Sequence, residues 1–202
     1  DWREKFKKMD KLRVVAYSDS RKFKALPDLA EIMRITKSRL KDRIEWILFG
    51  HHNPGDLGCE YTFAGKIFKQ DLRELYRSCH IVVMPSWYEC FPLPPLESMA
   101  CGSLSMCTRY GTEDYAFNNK NSLVFQPRGV QSIAQAIEDV AAGKYPVMDL
   151  VAAGLETANN FSIQKRMDVY EEVIKEIAKN NVSSNFRDLD DLIVGKIQEA
   201  VI

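Results

Sequence analysis

Hydrophobic positions along the chain fall into short apolar runs separated by amphipathic stretches. Leu12–Tyr17 (LRVVAY) is a β-branched run that ends in Ser-Asp-Ser, the signature of a strand entering a loop. Between Pro27 and Leu40, apolar residues at 29, 32, 33, 35 and 40 recur at helical spacing, with Pro27 tolerated in the first turn. Arg43–Gly50 reads as a second strand, followed by the turn-rich HHNPGDLGCE. YTFAG (61–65) is a third strand, and QDLRELYRSC (70–79) is a short helix with Leu72, Leu75 and Tyr76 inward. HIVVMP (80–85) is apolar almost throughout, as a strand covered on both faces should be.

The second half continues the alternation. A helix is predicted to open at Pro94 or Pro95, followed by a strand over Ser103–Cys107, a short element near Glu113 and a strand over Ser122–Phe125. Helices follow at about Gln131–Ala142, Leu150–Asn160 and Ile163–Lys179. The polar break NNVSSN then leads to an amphipathic helix over Leu189–Val201. The stripe Ile163, Met167, Tyr170, Val173, Ile174 and Ile177 is expected to pack into a core. Apolar strands alternating with helices predict an α/β fold, a single Rossmann-like domain with a parallel sheet covered on both faces, over residues 1–180. Residues 181–202 form a linker and C-terminal helical extension.

Composition narrows the function. The 202 residues carry 28 Lys+Arg against 28 Asp+Glu, without the basic excess that a nucleic-acid surface requires, so no nucleic-acid partner is expected. Five cysteines with no C-x-x-C pair fit reduced thiols in a cytoplasmic protein better than a disulfide or zinc framework. No run is long enough to span a membrane, and no signal peptide opens the chain. Asp1 in place of Met suggests a fragment. The basic run Lys5, Lys7, Lys8 and Lys11 reads as a solvated helix face; contact with a membrane surface or lipid-linked acceptor is the competing reading. His51, His52 and Asn53 lack a third metal ligand at a plausible spacing, and His80 reads as a structural histidine.

Candidate chemistry follows from topology. With strand order 3-2-1-4-5-6, the loops after strands 1 and 4 face one crevice at the switch point. The first loop brings Arg21, Lys22 and Lys24, and the second brings Glu89. Cations facing a helix N-terminus make a diphosphate site. Glu97 is predicted in the first turn of that helix, where a carboxylate can clamp a ribose diol while Glu89 accepts bonds from sugar hydroxyls.

ECFPLPPLE, within DLRELYRSCHIVVMPSWYECFPLPPLESMACG, resembles the E-x7-E signature of retaining glycosyltransferases of family 4, in the C-terminal half of the GT-B fold. The resemblance covers about Leu12 to Lys175 and extends through TRYGTEDYAFNNKNSLVFQPRGVQSIAQAI. It implies a domain that binds a nucleotide-diphosphate sugar for retaining transfer to a polysaccharide or glycan acceptor. Arg21 and Lys24 would hold the diphosphate, Glu89 would lie by the donor sugar, and Glu97 would bind the ribose. Ile67 would meet the base, and Phe91, Pro92 and Leu93 would touch sugar and phosphate through their backbone. No metal or other cofactor is implied, because basic side chains and the helix dipole stabilise the departing diphosphate.

The pattern also departs from that family. Ser18, Ser20 and Ala25 stand in the turn where glycines are usual, with Ser18 at the donor edge, and Pro92 stands where glycine is commoner. Expected partners are the nucleotide-diphosphate sugar and an N-terminal acceptor domain, with a dimer of the isolated domain as a further candidate. The competing function is a non-catalytic nucleotide-sugar-binding or scaffolding module of the same fold.

Overall fold

The computed structural model describes residues 1–7 and 9–180, the side chains of 178–180 excepted; the helix predicted over Leu189–Val201 and Lys8 lie outside the described residues. The chain divides into two compact units, Asp1–Leu155 and Glu156–Ile202. No described helix is long and apolar enough to cross a membrane.

The first unit is built on six parallel strands: β1 (Leu12–Ser18), β2 (Ile44–Gly50), β3 (Thr62–Phe63), β4 (Ile81–Met84), β5 (Leu104–Thr108) and β6 (Leu123–Phe125). Their order is β3-β2-β1-β4-β5-β6, as the alternation predicted. Val14 pairs with Trp46 on one side of β1 and with Ile81 on the other.

The helices are α1 (Trp2–Lys7), α2 (Leu26–Leu40), α3 (Lys69–Ser78), α4 (Leu93–Ala100), α5 (Val130–Ala141), α6 (Val147–Asn160) and α7 (Ile163–Asn180). Strand alternation sorts the core into two layers. Val14 and Ala16 share one layer with Leu29, Ile32 and Met33 of α2 and with Ile133 and Ile137 of α5. Val15, Ile47 and Val82 share the other with Tyr76 and the flank of α3. Trp46 is fully buried, and its indole N–H donates to Thr36 at 3.0 Å, so its one polar atom is satisfied.

Three expectations need correction. Helix α4 opens at Leu93, with Pro92 as N-cap, rather than at Pro94 or Pro95. Prolines at the second and third positions are tolerated because their missing N–H groups would have no intrahelical acceptor. Lys5 is not on a solvated face. It is partly buried and donates to the Arg77 carbonyl at 3.2 Å and the Ser103 hydroxyl at 2.9 Å. The α7 stripe is not core either: Ile163, Met167, Tyr170 and Ile174 are exposed and Val173 is buried. The described part of that unit holds only the end of α6 and α7, which offers no layer to cover the stripe.

His80 is structural, as predicted. Its Nδ1 accepts from the Arg13 amide at 2.9 Å, and its Nε2 lies 3.0 Å from the Lys5 carbonyl. Because the amide must donate, Nδ1 is the acceptor, and the neutral ring carries its proton on Nε2.

Candidate functional site at the switch point

The loop after β1 closes in a 3-10 turn, Lys22–Lys24, followed by Ala25 at φ 56°. The glycine is missing as a residue, but the backbone keeps the left-handed turn, at a cost of roughly 1–2 kcal/mol for an L residue. That turn aims Lys24 across the switch point. Its Nζ lies 2.6 Å from Glu89 Oε1, and both side chains are largely buried. The Trp87 amide donates to the Phe23 carbonyl at 2.8 Å, and Phe23 stacks on Tyr88 with ring centres 5.3 Å apart. The β1 and β4 loops are therefore joined by a backbone bond, a ring stack and an ion pair.

Glu89 is also held from β5. Its amide donates to the Tyr110 carbonyl at 3.1 Å, and Gly111 (φ 90°) passes so close that a Cβ there would lie 2.3 Å from the Glu89 carbonyl oxygen. Only glycine fits that passage.

Beside this pair opens a cleft of about 230 Å³, walled by Tyr17, Lys24, Gly50, Ile67, Leu93 and Glu97 among others. Glu97 lies in the second turn of α4, not the first, because the helix starts at Leu93. Burial raises its pKa, opposed by the neighbouring Tyr76 hydroxyl. That hydroxyl is buried without a hydrogen-bond partner of good geometry. A carboxylate and an unsatisfied phenol in an apolar cleft make a place for a ligand's hydroxyls.

The structure thus brings Lys24, Ile67, Leu93 and Glu97 to one cleft and sets Glu89 at its edge through Lys24. Arg21 is placed differently. Its exposed guanidinium grips Asp19 at 2.7 and 3.1 Å, and that contact holds the Asp19 carboxyl down at about 2. Ser18 is buried and opens toward a second pocket.

Phe91 meets the Tyr115 ring edge-on at 5.3 Å, and the Pro92 carbonyl accepts from the Tyr115 hydroxyl at 2.6 Å. Of the four amide positions at the start of α4 that lack an intrahelical acceptor, Pro92, Pro94 and Pro95 have no N–H; Leu93 alone supplies one. The helix end contributes its dipole and one donor, so the full charge of Lys24 dominates any anion site here.

Sequence reasoning missed Gly111, Asp19 and Tyr115, and read Tyr76 as core alone. Among the described residues no group of three or more His, Cys, Asp or Glu side chains is placed to hold a metal ion.

Residues 12–142 match the family described as Glycosyl transferases group 1. The serotype-specific mannosyltransferase WbdA of Escherichia coli is 29% identical over 121 residues, which is 60% of this chain and 15% of that protein. The C-terminal domain of the glycosyl transferase group 1 family protein LpcC from Francisella tularensis superposes with a TM-score of 0.65 at 22% identity. That match covers 80% of this chain and 91% of the other. The pneumococcal O-GlcNAc transferase GtfA, solved in complex with UDP and GlcNAc, gives a TM-score of 0.68 at 14% identity, covering 84% of this chain and 36% of that one. The shared fold is that of one half of a GT-B enzyme.

Proposed function

Since the chain belongs to the group 1 glycosyl transferases, we propose that it is the domain that binds a nucleoside diphosphate sugar for transfer with retention to a polysaccharide or glycan. One observation carries this reading: Ile67, Glu97 and Lys24 wall a single cleft at the switch point of the sheet. The base rests against Ile67, the ribose diol bonds to Glu97, and the diphosphate reaches Lys24.

The resting site is self-paired. Lys24 holds Glu89 at 2.6 Å, so an arriving diphosphate exchanges one anion for another on the same amine. That exchange releases the Glu89 carboxylate toward the sugar hydroxyls. When the bond from the anomeric carbon to the diphosphate breaks, its electron pair leaves with the diphosphate, where Lys24 and the α4 dipole stabilise the charge. Metal-independence and retention follow from the resemblance. The chain spans about 15% of the length of its E. coli relative, and, as the resemblance implies, most of the acceptor site is assigned to a second, N-terminal domain of the whole enzyme.

Calorimetry with UDP, GDP, ADP and TDP tests the site. At least one is expected to bind. Glu97→Ala and Lys24→Ala should each weaken it by roughly 10- to 100-fold, the loss of hydrogen bonds to a charged group. If no nucleotide binds, or both variants bind like the parent chain, the assignment is wrong.

A further inference from the structure

Tyr17 turns to the donor cleft, while Ser18, one residue on, falls on the opposite face of β1 and walls a second pocket of about 470 Å³. That volume lies within the ~300–1,000 Å³ typical of small-molecule sites. Its walls are Ser18, Asp19, Ser20, His51, His52 and Asn53, with Leu26 and Pro54 as apolar patches. His51 also borders the donor cleft, so the two cavities share one residue of their walls.

Two of the polar groups are already oriented. Arg21 fixes the Asp19 carboxylate at 2.7 Å, with a backbone bond from the Arg21 amide at 2.8 Å. Asn53 accepts through Oδ1 from the Gly55 amide at 3.0 Å and the Tyr61 hydroxyl at 2.7 Å. Those bonds identify the oxygen end of the amide and leave its NH2 as the donor.

A fixed acceptor, a fixed donor, serines and imidazoles, flanked by two apolar patches, suit vicinal hydroxyls and C–H faces. They do not suit a phosphate, which would meet the Asp19 carboxylate while the nearest guanidinium is committed to it. We propose that this pocket holds one pyranose ring of a glycan, on the accepting side of the transfer, separated from the donor by His51. The sugar binding stands on the pocket alone; its identity as the acceptor rests on the glycosyl-transfer reading.

The test is an NMR titration of the 15N-labelled chain with methyl glycosides of mannose, glucose and N-acetylgalactosamine, with UDP and inorganic phosphate as separate arms. A glycoside is expected to move the amides of residues 18–20 and 51–53 saturably, also with UDP present. His52→Ala and Asn53→Ala should weaken it roughly five- to tenfold, the weight of one hydrogen bond. His52 is exposed and, among the described residues, its ring contact is with His51, so that variant keeps the loop if Asn53→Ala disturbs it.

The proposal is overturned if no glycoside moves these amides, if the shifts fall on Ile67 and Glu97 instead, or if phosphate alone produces them. Glycoside binding without UDP binding would sink the donor-site reading and leave the pocket; the reverse would sink the pocket and leave the donor site.

Discussion

Two lysines at opposite edges of the sheet show how differently one residue type is used. At the C-terminal edge, Lys24 lies 2.6 Å from the Glu89 carboxylate. At the N-terminal edge, Lys5 donates to neutral oxygens, the Arg77 carbonyl at 3.2 Å and the Ser103 hydroxyl at 2.9 Å. A carboxylate side chain can swing aside when another anion takes over its pairing with the amine, because the amine keeps a counter-charge throughout. A backbone carbonyl fixed in the fold cannot. The first arrangement is therefore exchangeable and suits a ligand site, whereas the second closes off the sheet. Without a counter-charge, burial drops the Lys5 pKa to about 8.

The comparison breaks most severely at His80, which bridges the Arg13 amide and the Lys5 carbonyl. His80→Leu leaves both part-buried groups without that partner, at a cost of roughly 1–3 kcal/mol each. Urea unfolding should register a loss of about 3 kcal/mol, while the UDP affinity of the variant that remains folded stays within twofold of the parent. A parallel loss of affinity would mean that the two edges are not independent.

Much of this was legible in the sequence. Apolar runs and helical spacing located the six strands, and the switch-point rule then put the loops bearing Lys24 and Glu89 together. Less legible were features set by contacts distant in sequence or by the backbone alone. Tyr115 caps the Pro92 carbonyl from 23 residues away, and Gly111 makes room for Glu89 from the β5 loop. Nothing in their local patterns announces either role.

The capture of Arg21 by Asp19 depends on the bend of a loop whose residues fit several turns. The start of α4 differs from the expectation because three prolines read as a barrier to a helix; at its N-cap and in its first turn they are compatible with one. The α7 stripe has a core's periodicity, but periodicity does not say what covers it.

At the other edge, Glu89→Gln sharpens the comparison. The glutamine keeps the shape and loses the charge, so Lys24 no longer has an internal anion to give up. Affinity for a nucleoside diphosphate is expected to rise up to about tenfold, near 1.4 kcal/mol. Stability should fall, because the largely buried amine loses its partner. Calorimetry beside thermal melts reads both, and unchanged or weaker nucleotide binding would show that Glu89 does not compete with the diphosphate.

The smallest effect tests the Lys5 edge by pH. Its amine titrates near 8 when folded against 10.5 unperturbed, so above pH 8 the unfolded chain binds the extra proton and stability rises with pH. Two buried thiols act in the opposite sense. Burial pushes Cys79 up to about 11 and Cys107 up to about 12 from 9.0, so above pH 9 the unfolded chain releases protons that the folded one keeps. Stability should therefore climb between pH 8 and pH 9 by at most ~1 kcal/mol, then turn over. Chemical denaturation across that range should show the rise in the parent chain and only the fall in Lys5→Met. A flat parent profile would mean that water reaches the Lys5 amine, and the contrast between the two lysines would then rest on Glu89 alone.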